Sequence, residues 1–490
     1  MKSLKSILQS KGSGGFAKSS AVYFVNDILQ KATGFMLIPL YTAYFLPEEY
    51  GLLSVMAFVL ALLVILGDLG QSGALVRFHF IAEKSGDFKS YIASAVLFIL
   101  GVSAFLVIAL FGLGPWLFDV GFNNISFYPY GAIVTVTFIF SICNQLYLNV
   151  LRAKGESVRY GIHSFSFFLL NIGGAILAIV VFDLGVIGKL SSALLATAVF
   201  GSIGLFFVTR GVNLWKQFSR SRLKELVNYG LPAVPHLLAA IILNLADRYV
   251  IERYHDMTEV GLYSLAYQLG SIMLFVALAF DKAWGPFYFS KAGTEKGETQ
   301  INQIAKLFLV AIMFISFLIV IFMDEVFMFI GSDAYQESLA IIPLIAVGLL
   351  FKAAYFVPIK SILFNNSTKV IPLITGIAAI VNLGLNFLMV PSMGGFGAAL
   401  ATGISYLLMF VLVLVISRRY TSLNYHAPKV LGALALIVLG YVSVLSIQQA
   451  GIDNAFVMFL IKCGIVVVIL MALIKSRIVT KNELINLKKI

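Results

Sequence analysis

From Tyr91 to Gly114 the chain runs without one charged residue, and similar runs fill 51–67, 128–143, 370–390 and 398–416. A run of about 18 or more apolar residues can cross a bilayer core of ~30 Å as a helix. Backbone groups in hydrocarbon must find their partners within the protein, so only helices or closed barrels span it. Barrel strands would read as segments of about ten residues with alternating polarity. These runs do not alternate, so the fold class is all-α integral membrane. Composition agrees: 60% of residues are hydrophobic and 12% charged, against about 25% charged in soluble domains.

The pattern predicts 14 transmembrane helices, near 20–45, 51–76, 91–114, 128–150, 161–182, 186–208, 226–250, 260–281, 304–323, 338–359, 370–390, 395–416, 429–446 and 454–474. An even count puts both termini on one face. If that face is cytoplasmic, the outer side holds Lys189, Arg248 and Arg253, and span interiors hold Lys31, Lys352 and Lys462. The other 29 of the 35 Lys and Arg lie on the inner side or at inner span ends. Removing one span would invert every later loop and destroy this asymmetry, so the positive-inside rule supports the count. It also accounts for the net charge of +12 without nucleic acid, since the bases form no aromatic-flanked patch. The first span reads as uncleaved, because no small-residue cleavage site follows a short apolar core. Cys143 and Cys463 lie in apolar stretches, so no disulfide framework is expected. The longest loops, about 209–225 and 282–303, are too short for a soluble domain.

The chain repeats itself. "LPEEYGLLS" (46–54) returns as "MTEVGLYSL" (257–265), with Glu49, Gly51, Leu52 and Ser54 on Glu259, Gly261, Leu262 and Ser264. Gly185 and Gly188 fall on Gly394 and Gly397, Asn171 falls near Asn382, and polar connectors 151–157 and 363–369 correspond. Spans 1–6 therefore repeat as spans 7–12, in the same orientation. The expected organisation is two pseudo-symmetric six-helix lobes, 1–208 and 226–416, extra spans within 429–474, and a cytoplasmic tail, 475–490. Parallel repeats of this kind are typical of transporters that rock about a site between lobes.

"LPEEYGLLSV", "GDLGQSGALVRF" (67–78), "NLADRYVIERYHDMTEVGLYSLAYQLG" (244–270) and "NLGLNFLMVPSMGGFGAALATGISY" (382–406) resemble the polysaccharide transporter family. Its Wzx-type O-antigen and exopolysaccharide flippases share a superfamily with MATE drug exporters and lipid II flippases. The resemblance runs through span 12. It implies a V-shaped, MATE-like bundle in the bacterial inner membrane. Such a protein passes undecaprenyl-diphosphate-linked oligosaccharide from the cytoplasmic to the periplasmic leaflet by alternating access, alongside other polysaccharide assembly proteins and membrane lipids.

A diphosphate calls for cations in a polar cavity, and an ionisable group inside a span costs ~3 kcal/mol or more, so each needs a reason. Lys31 lies roughly 16 Å into span 1 at 1.5 Å per residue, with Asp27 one turn earlier; a cavity cation tuned by an acid and a buried structural pair are the two readings. Lys352 has no acid within a turn of its own helix and is the better anion-site candidate, against snorkelling toward headgroups. Asp68 and Arg77 flank the cytoplasmic end of span 2, as an inner gate or as interface anchors. Asp247 and Arg248 close span 7 outside, as an outer gate or a capped helix end. Tyr263 and Tyr267 suit sugar stacking or an aromatic belt. Asn144, Gln145, Asn149, Asn382 and Asn386 suit glycan hydroxyls or helix–helix hydrogen bonds. Lys462, outside the repeat, is a weaker candidate. Pro232, Pro235 and Pro358 are candidate hinges.

No P-loop, nucleophile elbow or metal spacing is present, and the five histidines are scattered. The protein reads as no enzyme and needs no cofactor; any coupling would use H+ or Na+ at Asp27 or Asp68. The alternatives are a MATE-type ion-coupled drug exporter, which favours cavity acids, and a lipid II flippase, which favours cavity arginines. A membrane glycosyl-polymerase would need a larger outer loop than this chain has.

Overall fold

In the computed structural model the described residues are 34–82, 86–330, 332–450, 454–480 and Glu483. No strand occurs among them. Eleven helices are long and apolar enough to cross a membrane, and a bent pair, Met257–Gly270 and Met273–Lys291, turned by 46°, supplies a twelfth. The chain is a multi-pass helical membrane protein. Contacts divide it into two compact units, Met1–Gly261 and Leu262–Ile490.

The first unit contains α1 (Ile38–Tyr44), α2 (Pro47–Asp68), α3 (Gln71–Ala82), α4 (Phe88–Gly121), α5 (Ala132–Ala153), α6 (Ser157–Ile176), α7 (Gly185–Thr209), α8 (Arg220–Gly230) and α9 (Val234–Tyr254). α2 starts with Pro47 in its first turn, where a missing N–H costs nothing. Glu49 then caps the start of the helix by accepting the Leu46 N–H at 3.0 Å. α5 and α7 pack through glycine. A side chain at Gly201 would strike the Phe140 carbonyl, and one at Gly204 would strike Tyr147. Small residues of this kind let membrane helices approach closely where no hydrophobic force drives them together.

The sequence suggests one unbroken second span at 51–76. The structure breaks it: Leu69 and Gly70 take positive φ, 46° and 77°, between α2 and α3. Nothing in a leucine announces a left-handed turn, so an unbroken apolar run does not mark this break. The expected loop 209–225 is also corrected, because it holds a helical turn at Leu214–Gln217 and the start of α8.

The second unit begins partway along α10 (Met257–Gly270). It continues with α11 (Met273–Lys291), α12 (Glu295–Ile321), α13 (Met323–Ile330), α14 (Ser338–Ala354), α15 (Ile359–Phe364), α16 (Val370–Ser417), α17 (Ala427–Gln449) and α18 (Ala455–Lys475). The expected loop 282–303 is mostly helix, since α11 runs to Lys291 and α12 starts at Glu295, capped by Thr294. α16 has 48 residues, roughly 72 Å of helix, far more than a bilayer core. It breaks at Gly394, where φ is 54°, and Gly397 lies against the Met389 carbonyl across the break. Gly185, its counterpart in the sequence repeat, also has φ 54° and opens α7. The first and second units thus turn at matching glycines. α14 meets α16 at Gly348 and Gly403, and α17 and α18 pack on α12 through Met313, Phe317, Ile437, Val444, Met458 and Ile469.

Candidate functional site

The two repeated phrases touch each other. A Cβ on Gly51 would meet the Met257 carbonyl, and one on Gly261 would meet the Pro47 carbonyl. Pro47 and Met257 are themselves equivalent positions of the repeat, so the contact is reciprocal. Glycine is required here because two backbones occupy the space a side chain would fill. A second seam joins Gly70 and Gly230, each facing the other's carbonyl. It brings the break in span 2 against the bend before Pro232, where the 3-10 turn Leu231–Ala233 precedes α9. Glu252, fully buried near the end of α9, accepts the backbone N–H groups of Asn123 and Asn124 at 2.7 and 3.0 Å. Near the first seam a cavity of about 750 Å³ is lined by Tyr44, Glu48, Glu49, Tyr130, Asp183 and Asp256, among others.

Asp68 is buried and receives the Ser72 N–H at 3.1 Å as well as its hydroxyl. It thereby caps the restarted helix α3. Arg77 is exposed and lies over the Tyr229 ring, 4.3 Å from its centroid, so Asp68 and Arg77 serve different partners. Asp247 and Arg248 are both buried and stand 3.7 Å apart. Arg248 also donates to the Asn244 carbonyl at 2.8 Å. Asn144 meets His163 at 2.7 Å between α5 and α6, in a nest of Tyr147 and Phe200 rings. Gln145 is exposed and Asn149 half-buried. Asp27 and Lys31 lie outside the described residues.

In the second unit Lys352 is half-buried and its ammonium lies 4.9 Å from the centroid of the Tyr406 ring. That ring belongs to α16. Tyr263 and Tyr267 are buried, with rings 6.2 Å apart. Asn382 and Asn386 are fully buried and bonded to one another within α16. The Asn382 side-chain N–H2 finds no partner among the described residues.

With this geometry in view, comparison with known proteins decides the family. The model of the family described as "Polysaccharide biosynthesis protein" matches residues 16–292. The chain belongs to that family. A probable low-salt glycan biosynthesis flippase of Haloferax volcanii is 21% identical over 446 residues, 90% of this chain and 89% of that protein. The Lsg locus putative protein 1 of Haemophilus influenzae is 24% identical over 57% of this chain and 67% of its own. Among solved structures, lipid II flippase MurJ in an inward closed conformation superposes with TM-score 0.72 at 15% identity, over 94% of this chain and all of that one. An inward-facing MATE multidrug transporter superposes with TM-score 0.65 at 17% identity, over 81% and 96%. The chain therefore has the fold that these transporters share.

Several groups of this family member were not visible in sequence, because their partners are distant. Lys360 pairs with Asp281 at 2.6 Å, close to Tyr355, beside the turn that separates α14 from α15 at Pro358. Trp284, on the same helix as Asp281, donates its indole N–H to the Val357 carbonyl at 3.3 Å. Arg222 of α8 binds Asp87 at 2.6 Å and Glu225 at 2.9 Å, and it reaches Tyr91 at 3.2 Å. The Ser90 hydroxyl, and then Arg222, hold the Asp87 carboxyl below its usual range. Lys462 bridges Glu325 at 2.8 Å and Asp324 at 3.2 Å.

Proposed function

We propose that this protein is a flippase, not an enzyme, that moves a lipid-linked glycan for polysaccharide biosynthesis. What carries the reading is the family match joined to a fold that superposes along 94% of the chain on a lipid II flippase. The finer reading names undecaprenyl-diphosphate-linked oligosaccharide, such as an O-antigen repeat unit, carried from the cytoplasmic to the periplasmic leaflet of the inner membrane. Fourteen spans, cytoplasmic termini and the lobes 1–208 and 226–416 belong to this reading; the Lys and Arg distribution supports the count and orientation, and the sequence repeat supports the lobes.

In this reading the lipid tail stays in the bilayer while the glycan and diphosphate cross a polar path. Lys352 supplies a cation for the diphosphate, with Lys31, Arg77 and Arg248 as further contributors. Asp27, Asp68 and Asp247 act in gating or ion coupling. Asn144, Gln145, Asn149, Asn382, Asn386, Tyr263 and Tyr267 serve glycan contacts, and the buried amide of Asn382 is the donor best placed to want one. The glycine seams separate the corners that must part on each side.

The test is deletion of the gene followed by extraction of membranes. Lipid-linked oligosaccharide stranded in the cytoplasmic leaflet, with loss of surface polysaccharide, is the expected result. Intact surface polysaccharide with raised drug sensitivity would refute it in favour of a drug exporter. Arrest of peptidoglycan precursors would favour lipid II, the reading that the MurJ superposition suggests.

A further inference from the structure

The segment between the sixth and seventh spans lies on the flank of α4. Ser219 is fixed there by two hydrogen bonds with Ser94: the Ser219 N–H donates to the Ser94 hydroxyl at 3.0 Å, and the hydroxyl donates to the Ser219 carbonyl at 3.1 Å. Arg222 adds its ion pair with Asp87. Around these bonds the surface has two characters. Leu97, Phe98, Gly101, Val102 and Phe105 of α4, with Phe218 and Leu223, line an open apolar cleft of about 420 Å³. Only 17% of the spanning stretch of α4 is buried in protein, so this cleft opens toward lipid. The same connector carries Lys216, Arg220 and Lys224, all exposed, and none has an ion-pair partner among the described residues. Arg220 and Lys224 are one helical turn apart and so share a face, with about 6 Å between their Cβ atoms. Trp215, 83% exposed, sits next to Lys216 as an amphipathic ring at the boundary.

A cleft for a hydrocarbon chain under a cluster of uncommitted bases matches one ligand chemistry. We propose that the connector and α4 form a binding site for an anionic phospholipid of the leaflet on the base-rich face. One acyl chain lies in the cleft, against Phe218 and the Gly101 groove. The phosphate lies between Lys216, Arg220 and Lys224. Juxtamembrane bases draw anionic lipids by charge alone, but charge alone would ignore the cleft. That difference makes the site testable, and the proposal does not depend on what the protein transports.

The experiment uses the full chain in nanodiscs of phosphatidylcholine alone, or of equal phosphatidylcholine and phosphatidylglycerol, and follows amide exchange over residues 210–224. With phosphatidylglycerol, exchange there should slow by about tenfold or more, as expected when bases engage an anionic surface. Gly101→Leu fills the cleft, and a Cβ at Gly101 meets nothing within 4 Å, so the protein itself should be undisturbed. This variant should lose most of the slowing, and Lys216→Gln with Arg220→Gln and Lys224→Gln should lose all of it. Soluble glycerol phosphate should produce no slowing. Equal exchange in both lipids would overturn the site. Full slowing in Gly101→Leu would overturn the acyl cleft and leave only a surface-charge effect. Slowing by soluble phosphate would show an ion site in place of a lipid site.

Discussion

Gly261→Ala should act on the closed seam alone. The new methyl would stand 1.8 Å from the Pro47 carbonyl oxygen and 2.5 Å from its carbon, while ordinary contact begins near 3.4 Å. The corner must retreat by about 1.5 Å to restore contact distances. The obstacle is backbone, which cannot rotate aside like a side chain. Overpacking typically costs about 1–3 kcal/mol, and a backbone clash belongs at the upper end. A cost of about 3 kcal/mol borne only by the closed arrangement shifts its population roughly 150-fold toward one with the corners apart. Val55, fully buried one turn beyond Gly51 on α2, can report this. In a background lacking Cys143 and Cys463, Val55→Cys should react slowly with an impermeant maleimide. Adding Gly261→Ala should raise the rate on the order of 100-fold and lower glycan transport. Gly51→Ala should do the same, since its methyl would meet the Met257 carbonyl. Gly73→Ala, with nothing within 4 Å, should change neither. Wild-type labelling and transport in Gly261→Ala would refute the claim that this seam must close and part.

Lys352→Ala should reduce transport of lipid-linked glycan at least about tenfold. Lys352→Arg, which keeps a cation over the Tyr406 ring, should retain most of it, as read by surface polysaccharide recovery. Lys462→Met leaves Glu325, 20% exposed, and Asp324, 53% exposed, without their buried cation and should cost about 1 kcal/mol in detergent melts, because water reaches both carboxylates. Adding Glu325→Gln should restore most of that loss. Glu483 binds the fully buried Lys306 at 2.7 Å. Burial pushes its carboxyl up, but the Lys306 hydrogen bond and charge and the Thr480 N–H outweigh that and set it below the ordinary 4.5. A lowered carboxyl value contributes stability that is present above pH 4.5 and lost as pH falls through the folded value. The melting difference between wild type and Glu483→Gln should therefore be full at pH 7 and narrow below pH 4.5.

Much of the fold is legible in the sequence because hydrocarbon imposes length and backbone geometry imposes glycine. The apolar runs at 91–114 and 128–150 fall within α4 (Phe88–Gly121) and within Phe127–Ala153. Gly185 and Gly394, matched as letters, are matched also as φ 54°. What failed to show was local backbone choice inside an apolar run, as at Leu69, and helix formation in polar connectors, as at Arg220–Gly230. In those connectors the helix is held by Asp87 and Ser94, which are remote in sequence.

The charged residues show the same limit more sharply. Lys462 meets Glu325 across 137 residues and Lys306 meets Glu483 across 177, so neither pairing leaves a local trace. In a span an ion paired with a carboxylate is fixed, because separating the two would leave a charge in low dielectric. A cation over an aromatic face is held by about 0.5–2 kcal/mol, and a phosphate can take it at modest cost. Lys306, Lys360 and Lys462 stand on carboxylates, and the Lys352 ammonium lies over the Tyr406 ring. Sequence spacing could mark all four as interior or near-interior bases. Only the packing shows which remote residue each of these bases meets.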